Sequence, residues 1–105
     1  MNFWNQLFNR GLVYVTEVKE LPSPLHSRTV YIVIEGKQKI HAALICPCGC
    51  RSTILLNLLK DSYPYWKISK GNIQGLTISP SIWKTSGCKS HFFIRRGKII
   101  WAGKF

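Results

Sequence analysis

A chain of 105 residues, 46% hydrophobic and 12% aromatic, is long enough for one domain with a modest core and too short for two. Fifteen Lys and Arg stand against four acids, Glu17, Glu20, Glu35 and Asp61, for a formal net charge of +11. That scarcity excludes chemistry built on paired carboxylates, such as glycoside hydrolysis, and acid-rich magnesium sites for phosphoryl transfer; the basic excess calls for an anionic partner.

The chain reads as follows from its start. Residues 2–10 place Phe3, Trp4, Leu7 and Phe8 on one side of a short predicted helix, which Gly11 stops. Residues 1–10 lack the apolar stretch and cleavage site of a secretory leader. No run of about 18 apolar residues exists to span a bilayer, so a cytoplasmic protein with no membrane partner is expected. Residues 12–19 are rich in β-branched and aromatic types and read as a strand, followed by a Pro-rich loop at 21–24. Residues 29–35 (TVYIVIE) and 39–45 form a predicted hairpin around Gly36-Lys37. Residues 53–59 and 66–69 read as further short strands, and 76–79 lead into Pro80-Ser81-Ile82-Trp83. Residues 91–95 and 98–102 alternate around Arg96-Gly97 as a second hairpin. The expected fold is mainly β: a single small zinc-stabilised antiparallel β domain over 1–105, built from two hairpins with a short N-terminal helix.

The chemistry concentrates in two places. Cys46-Pro47-Cys48-Gly49-Cys50 is a C-x-C-x-C cluster, and Cys88 opens a C-x-x-H pair with His91. Pairing all four cysteines as disulfides would force a strained bridge within 46–50. Clustered thiols of a reducing compartment instead hold metal, and zinc accepts thiolate and imidazole in a tetrahedral shell. Gly49 lets the chain curl so that sulfurs converge and backbone amides point at them. Five candidate ligands compete for four places: four cysteines, or three with His91. A cross-link from 46–50 to 88–91 would staple a small sheet protein with limited apolar burial.

The second place is the set of serines around His91. As a general base His91 needs a serine within hydrogen-bond reach, from Ser79, Ser81 or Ser90. Adjacent side chains of an extended chain point to opposite faces, which counts against Ser90. Ser79 and Ser81 share a face with Thr77, although Ser-Pro-Ser also reads as plain turn chemistry. Glu35 at the first hairpin turn is the candidate acid to orient the histidine, and an exposed turn glutamate is its bland reading. His26 and His41 carry no expected role.

The ordered motifs Cys46-Pro-Cys-Gly-Cys50, Leu76-Thr-Ile-Ser-Pro-Ser-Ile82, Cys88-x-Ser-His-Phe-Phe-Ile94 and Gly97-x-Ile-x-Trp101 resemble a small bacterial family known as a domain of unknown function. That family recurs in operons with ubiquitin-like proteins and E1-like and E2-like enzymes. Over roughly residues 29–103 the chain resembles BubD, the deconjugating component of Bub-type pathways. The resemblance implies a zinc-containing β domain with serine-type peptidase activity, which matures a ubiquitin-like protein or removes it from targets. Its partners would be that protein and the E1-like and E2-like enzymes. It implies Cys46, Cys48, Cys50 and Cys88 as zinc residues. Elimination among the motif residues gives Ser81 and His91 as the reactive pair. Metal ligation and proton acceptance at one His91 nitrogen exclude each other. Arg51-Ser52 after the cysteine triplet departs from the family pattern.

Two readings compete with the peptidase. One is a non-enzymatic zinc module that binds nucleic acid through aromatics interleaved with Lys89, Arg95, Arg96, Lys98 and Lys104. The other is an adaptor that docks an acidic protein partner without cutting it.

Overall fold

The computed structural model describes residues 13–71 and 75–102. The predicted helix over 2–10 and the cation Lys104 lie outside the described residues. Eight strands follow in order: β1 (Tyr14–Val18), β2 (Thr29–Glu35), β3 (Gln38–Ile45), β4 (Thr53–Asn57), β5 (Lys67–Gly71), β6 (Gly75–Trp83), β7 (His91–Arg95) and β8 (Lys98–Trp101). They form two four-stranded sheets, β1-β2-β3-β4 and β5-β6-β7-β8. The two predicted hairpins are β2–β3, paired from Tyr31↔Ala43 to Glu35↔Gln38, and β7–β8, paired from Phe92↔Trp101 to Arg95↔Lys98.

The expectation of an all-antiparallel domain is corrected at β1, which runs parallel to β2 from Tyr14↔Thr29 to Val18↔Val33. A parallel neighbour needs a crossover rather than a tight turn. The chain between Val18 and Thr29, with Leu21-Pro22-Ser23-Pro24, makes that crossover. There the backbone N–H of His26 donates to the Tyr31 hydroxyl at 2.9 Å, so Tyr31 is buried with its polar end satisfied. This explains why β2 reads as a near-continuous apolar run: Val30, Tyr31 and Ile32 are all buried.

One core is shared by both sheets. Val30, Ile32, Ala42, Leu44, Ile54 and Leu56 from the first sheet meet Leu76, Ile78, Ile82, Phe92 and Ile94 from the second. Cys46, at the end of β3, belongs to the same cluster. The turn between β7 and β8 is pressed against the start of β6. A Cβ on Gly75, whose φ is +82°, would sit 3.0 Å from the backbone of Gly97. Gly97 N–H donates to Leu76 O at 2.7 Å, which locks that approach.

The strand β6 is longer than the sequence suggests. Ser79-Pro80-Ser81, expected as the start of a turn, lies inside it. Ile78 pairs with Ile94 and Ile82 with Phe92, so four steps on β6 answer two on β7. The surplus is taken up as a bulge around the proline, which has no N–H to give to a ladder. Ser79 and Pro80 are exposed there, while Ile78 and Ile82 on either side stay buried.

Candidate active site and cysteine cluster

The bulge decides where Ser81 points. Beyond it, alternation resumes with Ile82 in the core and Ser81 and Trp83 on the outer face of the second sheet. On β7, Phe92 and Ile94 face the core, which leaves His91 and Phe93 on the outer face beside them. The outcome is a hydrogen bond of 2.8 Å between Ser81 Oγ and His91 Nε2. Trp66, just before β5, donates from its indole Nε1 to Ser81 O at 3.1 Å and holds the backbone of that residue.

One aromatic ring stacks on the imidazole and a second lies near it. Trp83 pairs across the strands with His91 and stacks on it, with centroids 4.7 Å apart and planes within 10°. The Phe93 ring is tilted to the imidazole at 6.0 Å, and the Arg95 guanidinium caps Phe93 at 4.2 Å. No acid takes part: among the described residues no carboxylate hydrogen-bonds His91. Glu35, the candidate orienting acid, is exposed at the tip of the β2–β3 hairpin in the other sheet and is not brought to the histidine. Its hairpin position follows from Gly36, whose φ of 63° makes the turn there. What lies against the imidazole is the stacked Trp83 indole, a feature that sequence reasoning missed. The signal was the residue count: Trp83 and His91 flank the loop between two paired strands.

Of the other serines, Ser79 is exposed on the bulge, and Thr77 Oγ1 accepts from Arg96 N–H at 3.0 Å. Ser90 faces away from His91, as extended geometry requires. Its Oγ lies 3.4 Å from Cys46 Sγ and 3.2 Å from Cys88 Sγ.

The four cysteines converge on that inner side. Their sulfurs all lie within 4.8 Å of one another, with Cys46 Sγ 3.4 Å from Cys48 Sγ and 3.6 Å from Cys88 Sγ. Gly49, at φ +102°, curls the triplet, and Cys50 N–H points at Cys48 Sγ at 3.4 Å. Cys46 N–H donates to Ser52 O at 2.8 Å and closes the loop. His91, bonded to Ser81, is not a member of the cluster. Of the two ligand sets open from sequence, the geometry assembles four cysteines.

The donor set fits a tetrahedral thiolate-preferring ion. Zinc–sulfur bonds of about 2.3 Å put the sulfur–sulfur edges of a tetrahedron at roughly 3.8 Å, close to those found here. The thiols are unequal. Burial pushes the Cys46 thiol up to about 12. The Ser52 hydroxyl, 3.0 Å from Cys50 Sγ, holds Cys50 down at about 6. The Ser90 hydroxyl likewise lowers Cys88. Burial accounts for the contrast: Cys46 and Cys88 both lie against the Ser90 hydroxyl, but only Cys46 is buried.

A two-sheet β domain with a serine–histidine pair on one face of a segment and a four-cysteine cluster on the other has the reactive groups of a small serine-type hydrolase and a candidate metal staple. A family model described as bacterial ubiquitination-like system serine protease (BubE) matches residues 17–102, and the chain belongs to that family. The match bears out the expected ubiquitin-like setting; the component it names is BubE, and a resemblance to BubD is not shown. It also extends the family region into β1. No curated protein and no solved structure matches the chain. Among the described residues, no helix is long and apolar enough to cross a membrane.

Proposed function

We propose that this chain is a zinc-stapled serine peptidase that processes or deconjugates the ubiquitin-like protein of its pathway, with Ser81 as nucleophile and His91 as general base. The hydrogen bond of 2.8 Å between them, in a member of this family, carries the reading. Neutral His91 accepts the Ser81 proton at Nε2 as Oγ attacks the scissile carbonyl. It then gives that proton to the leaving amine, and water repeats the sequence to release the acyl group. The imidazolium formed in each step lies face to face with the Trp83 indole, which favours the cation and fixes the plane of the ring. The pair works as a dyad in which stacking replaces the carboxylate.

The ion that suits the cysteines is zinc, held by Cys46, Cys48, Cys50 and Cys88. Four protein ligands complete its shell, so it supplies folding energy rather than a reactive water. Its place explains its use: Cys46 directly follows β3 of the first sheet, and Cys88 lies three residues before His91, which opens β7 of the second. The staple therefore fixes the start of β7, and with it the imidazole. The basic surface suits an acidic ubiquitin-like partner and its conjugating enzymes. Trp66 and Trp83, which a nucleic-acid module would offer to bases, are instead tied to the Ser81–His91 pair.

The test is incubation of the zinc-loaded protein with a C-terminally extended ubiquitin-like precursor from the same operon. Cleavage that Ser81→Ala and His91→Ala each abolish is expected. Cleavage that survives both substitutions removes the residue assignment. Capture of the precursor without cleavage by the unaltered protein makes the chain an adaptor.

A further inference from the structure

A cleft of about 370 Å³ opens beside the bulge of β6, walled by Tyr63, Pro64, Tyr65, Trp66, Ser79 and Pro80. Its position is tied to the reactive serine twice. Ser79 and Pro80 are the residues that lead into Ser81, and the Trp66 indole that lines the cleft donates to Ser81 O. The wall of the cleft and the backbone of Ser81 are thus held by one side chain.

The loop that carries the aromatic wall is built in advance. Asn57, at the end of β4, places its Nδ2 at 3.0–3.1 Å from Leu59 O, Ser62 O and Pro64 O, three carbonyls that share its two N–H groups, and accepts Leu59 N–H at Oδ1. Trp66 N–H donates to Asn57 O at 2.8 Å and closes the loop onto the strand. A single asparagine thus ties down four backbone groups of the loop, at Leu59, Ser62 and Pro64. Tyr63 is nevertheless 92% exposed. A large ring held out in water by an ordered loop lacks a partner within the described part of the chain.

The chemistry of the lining selects the occupant. Among the described lining residues, three aromatic rings and two prolines offer apolar faces, none is an acid, and Lys67 brings the one charge. The volume holds one large side chain. We propose that this cleft is a side-chain subsite of the Ser81 centre, and that it takes an aliphatic or aromatic residue of the substrate polypeptide close to the bond that is cut. The proposal rests on the peptidase reading and gives it a specificity. An apolar side chain in the cleft would anchor the polypeptide next to Ser81, where orientation matters for attack.

The experiment uses the full zinc-loaded chain and separates the two readings. The indole N–H resonance of Trp66, assigned with Trp66→Phe, is followed by NMR during titration with the N-acetyl amides of leucine, phenylalanine, glycine and aspartate. The p-nitrophenyl esters of the same N-acetyl amino acids report kcat/KM. Labelling by a fluorophosphonate, which needs a reactive serine but no side chain in the cleft, reports Ser81 independently. The expected result is a Trp66 shift with leucine and phenylalanine amides alone. An ester preference of about tenfold or more over glycine should accompany it. Tyr63→Ala, at an exposed position, should lower that preference several-fold while the labelling rate is kept. Labelling of Ser81 without amide shifts or ester preference overturns the subsite and leaves the peptidase standing. Amide shifts without labelling overturn the peptidase, and the subsite of its centre with it. Preference for the aspartate ester overturns the apolar occupant in favour of Lys67.

Discussion

The segment Cys88–His91 has two faces, and they are held by different means. On the inner side, Cys88 and Ser90 join a cluster of four sulfurs from the loops after β3 and before β7, with the Ser90 hydroxyl and the Cys50 amide in support. On the outer side, His91 is held by one hydrogen bond and one stacked ring. The inner face is redundant and ties distant parts of the chain together; the outer face is sparse, with the imidazole between one hydroxyl and one indole.

The largest expected effect comes from breaking the outer face at its centre. His91→Ala should lower turnover of the precursor by about 10²- to 10⁴-fold. Ser81→Ala should abolish fluorophosphonate labelling. Both variants should keep the melting temperature within a few degrees, because neither residue belongs to the shared core. A collapse of the fold in either variant would erase the division between the two faces.

Breaking the inner face should do the reverse. Metal analysis should return one zinc per chain. Removing it with a chelator, or making Cys88→Ser, should cost about 3 kcal/mol or more, which lowers the melting temperature by roughly 12–24 °C for a domain of this size. Activity should fall as a consequence, through loss of order at the start of β7. The metal should also leave on acidification. Cys46, raised to about 12 when metal-free, carries its proton at neutral pH and must lose it to bind. Uptake therefore releases protons, and affinity falls as pH falls. Zinc uptake that is independent of pH between 5 and about 8 would contradict thiolate ligation.

A smaller effect is expected at Trp83. Trp83→Ala removes a ring stack worth about 0.5–1.5 kcal/mol, and kcat should fall by roughly 2- to 10-fold. Trp83→Phe should restore most of it, with KM little changed in either. Trp83 is 63% exposed, so thermal stability should barely move. The smallest effect belongs to Glu35. Glu35→Gln should leave kcat/KM within about twofold, since removal of an exposed turn charge rarely matters at a distance. A drop of a hundredfold would restore the acid to the mechanism.

Much of this was legible before any coordinates. β2 and β7 begin and end where their apolar patterning and bounding residues put them, because those strands obey local rules: β-branched runs and a glycine turn. The cysteine triplet announced convergence through Gly49, and the sulfurs converge. The choice of Ser81 over Ser90 also followed from local geometry, since neighbours on an extended chain diverge. The parallel pairing of β1 was not legible, because nothing in residues 12–19 specifies the direction of a partner eleven or more residues away. Nor was the bulge at Pro80: a Ser-Pro-Ser run fits a turn as well as an interrupted strand, and only the fixed ends at Ile78 and Ile82, both in the core, force the second.

Residue identity and spacing alone determined the reactive inventory: thiolates in one tight group, one histidine beside serines, and too few carboxylates for acid-pair chemistry. Those limits are set by composition, which folding does not alter. The tertiary structure decided how the inventory was divided. It grouped Cys88 with the cysteine triplet and His91 with Ser81, and left Glu35 at the tip of the other sheet. That division depends on which face of β7 each side chain takes and on the register between β6 and β7. Both are fixed by the burial of Phe92, Ile94, Ile78 and Ile82 against the opposite sheet, a condition no single strand contains.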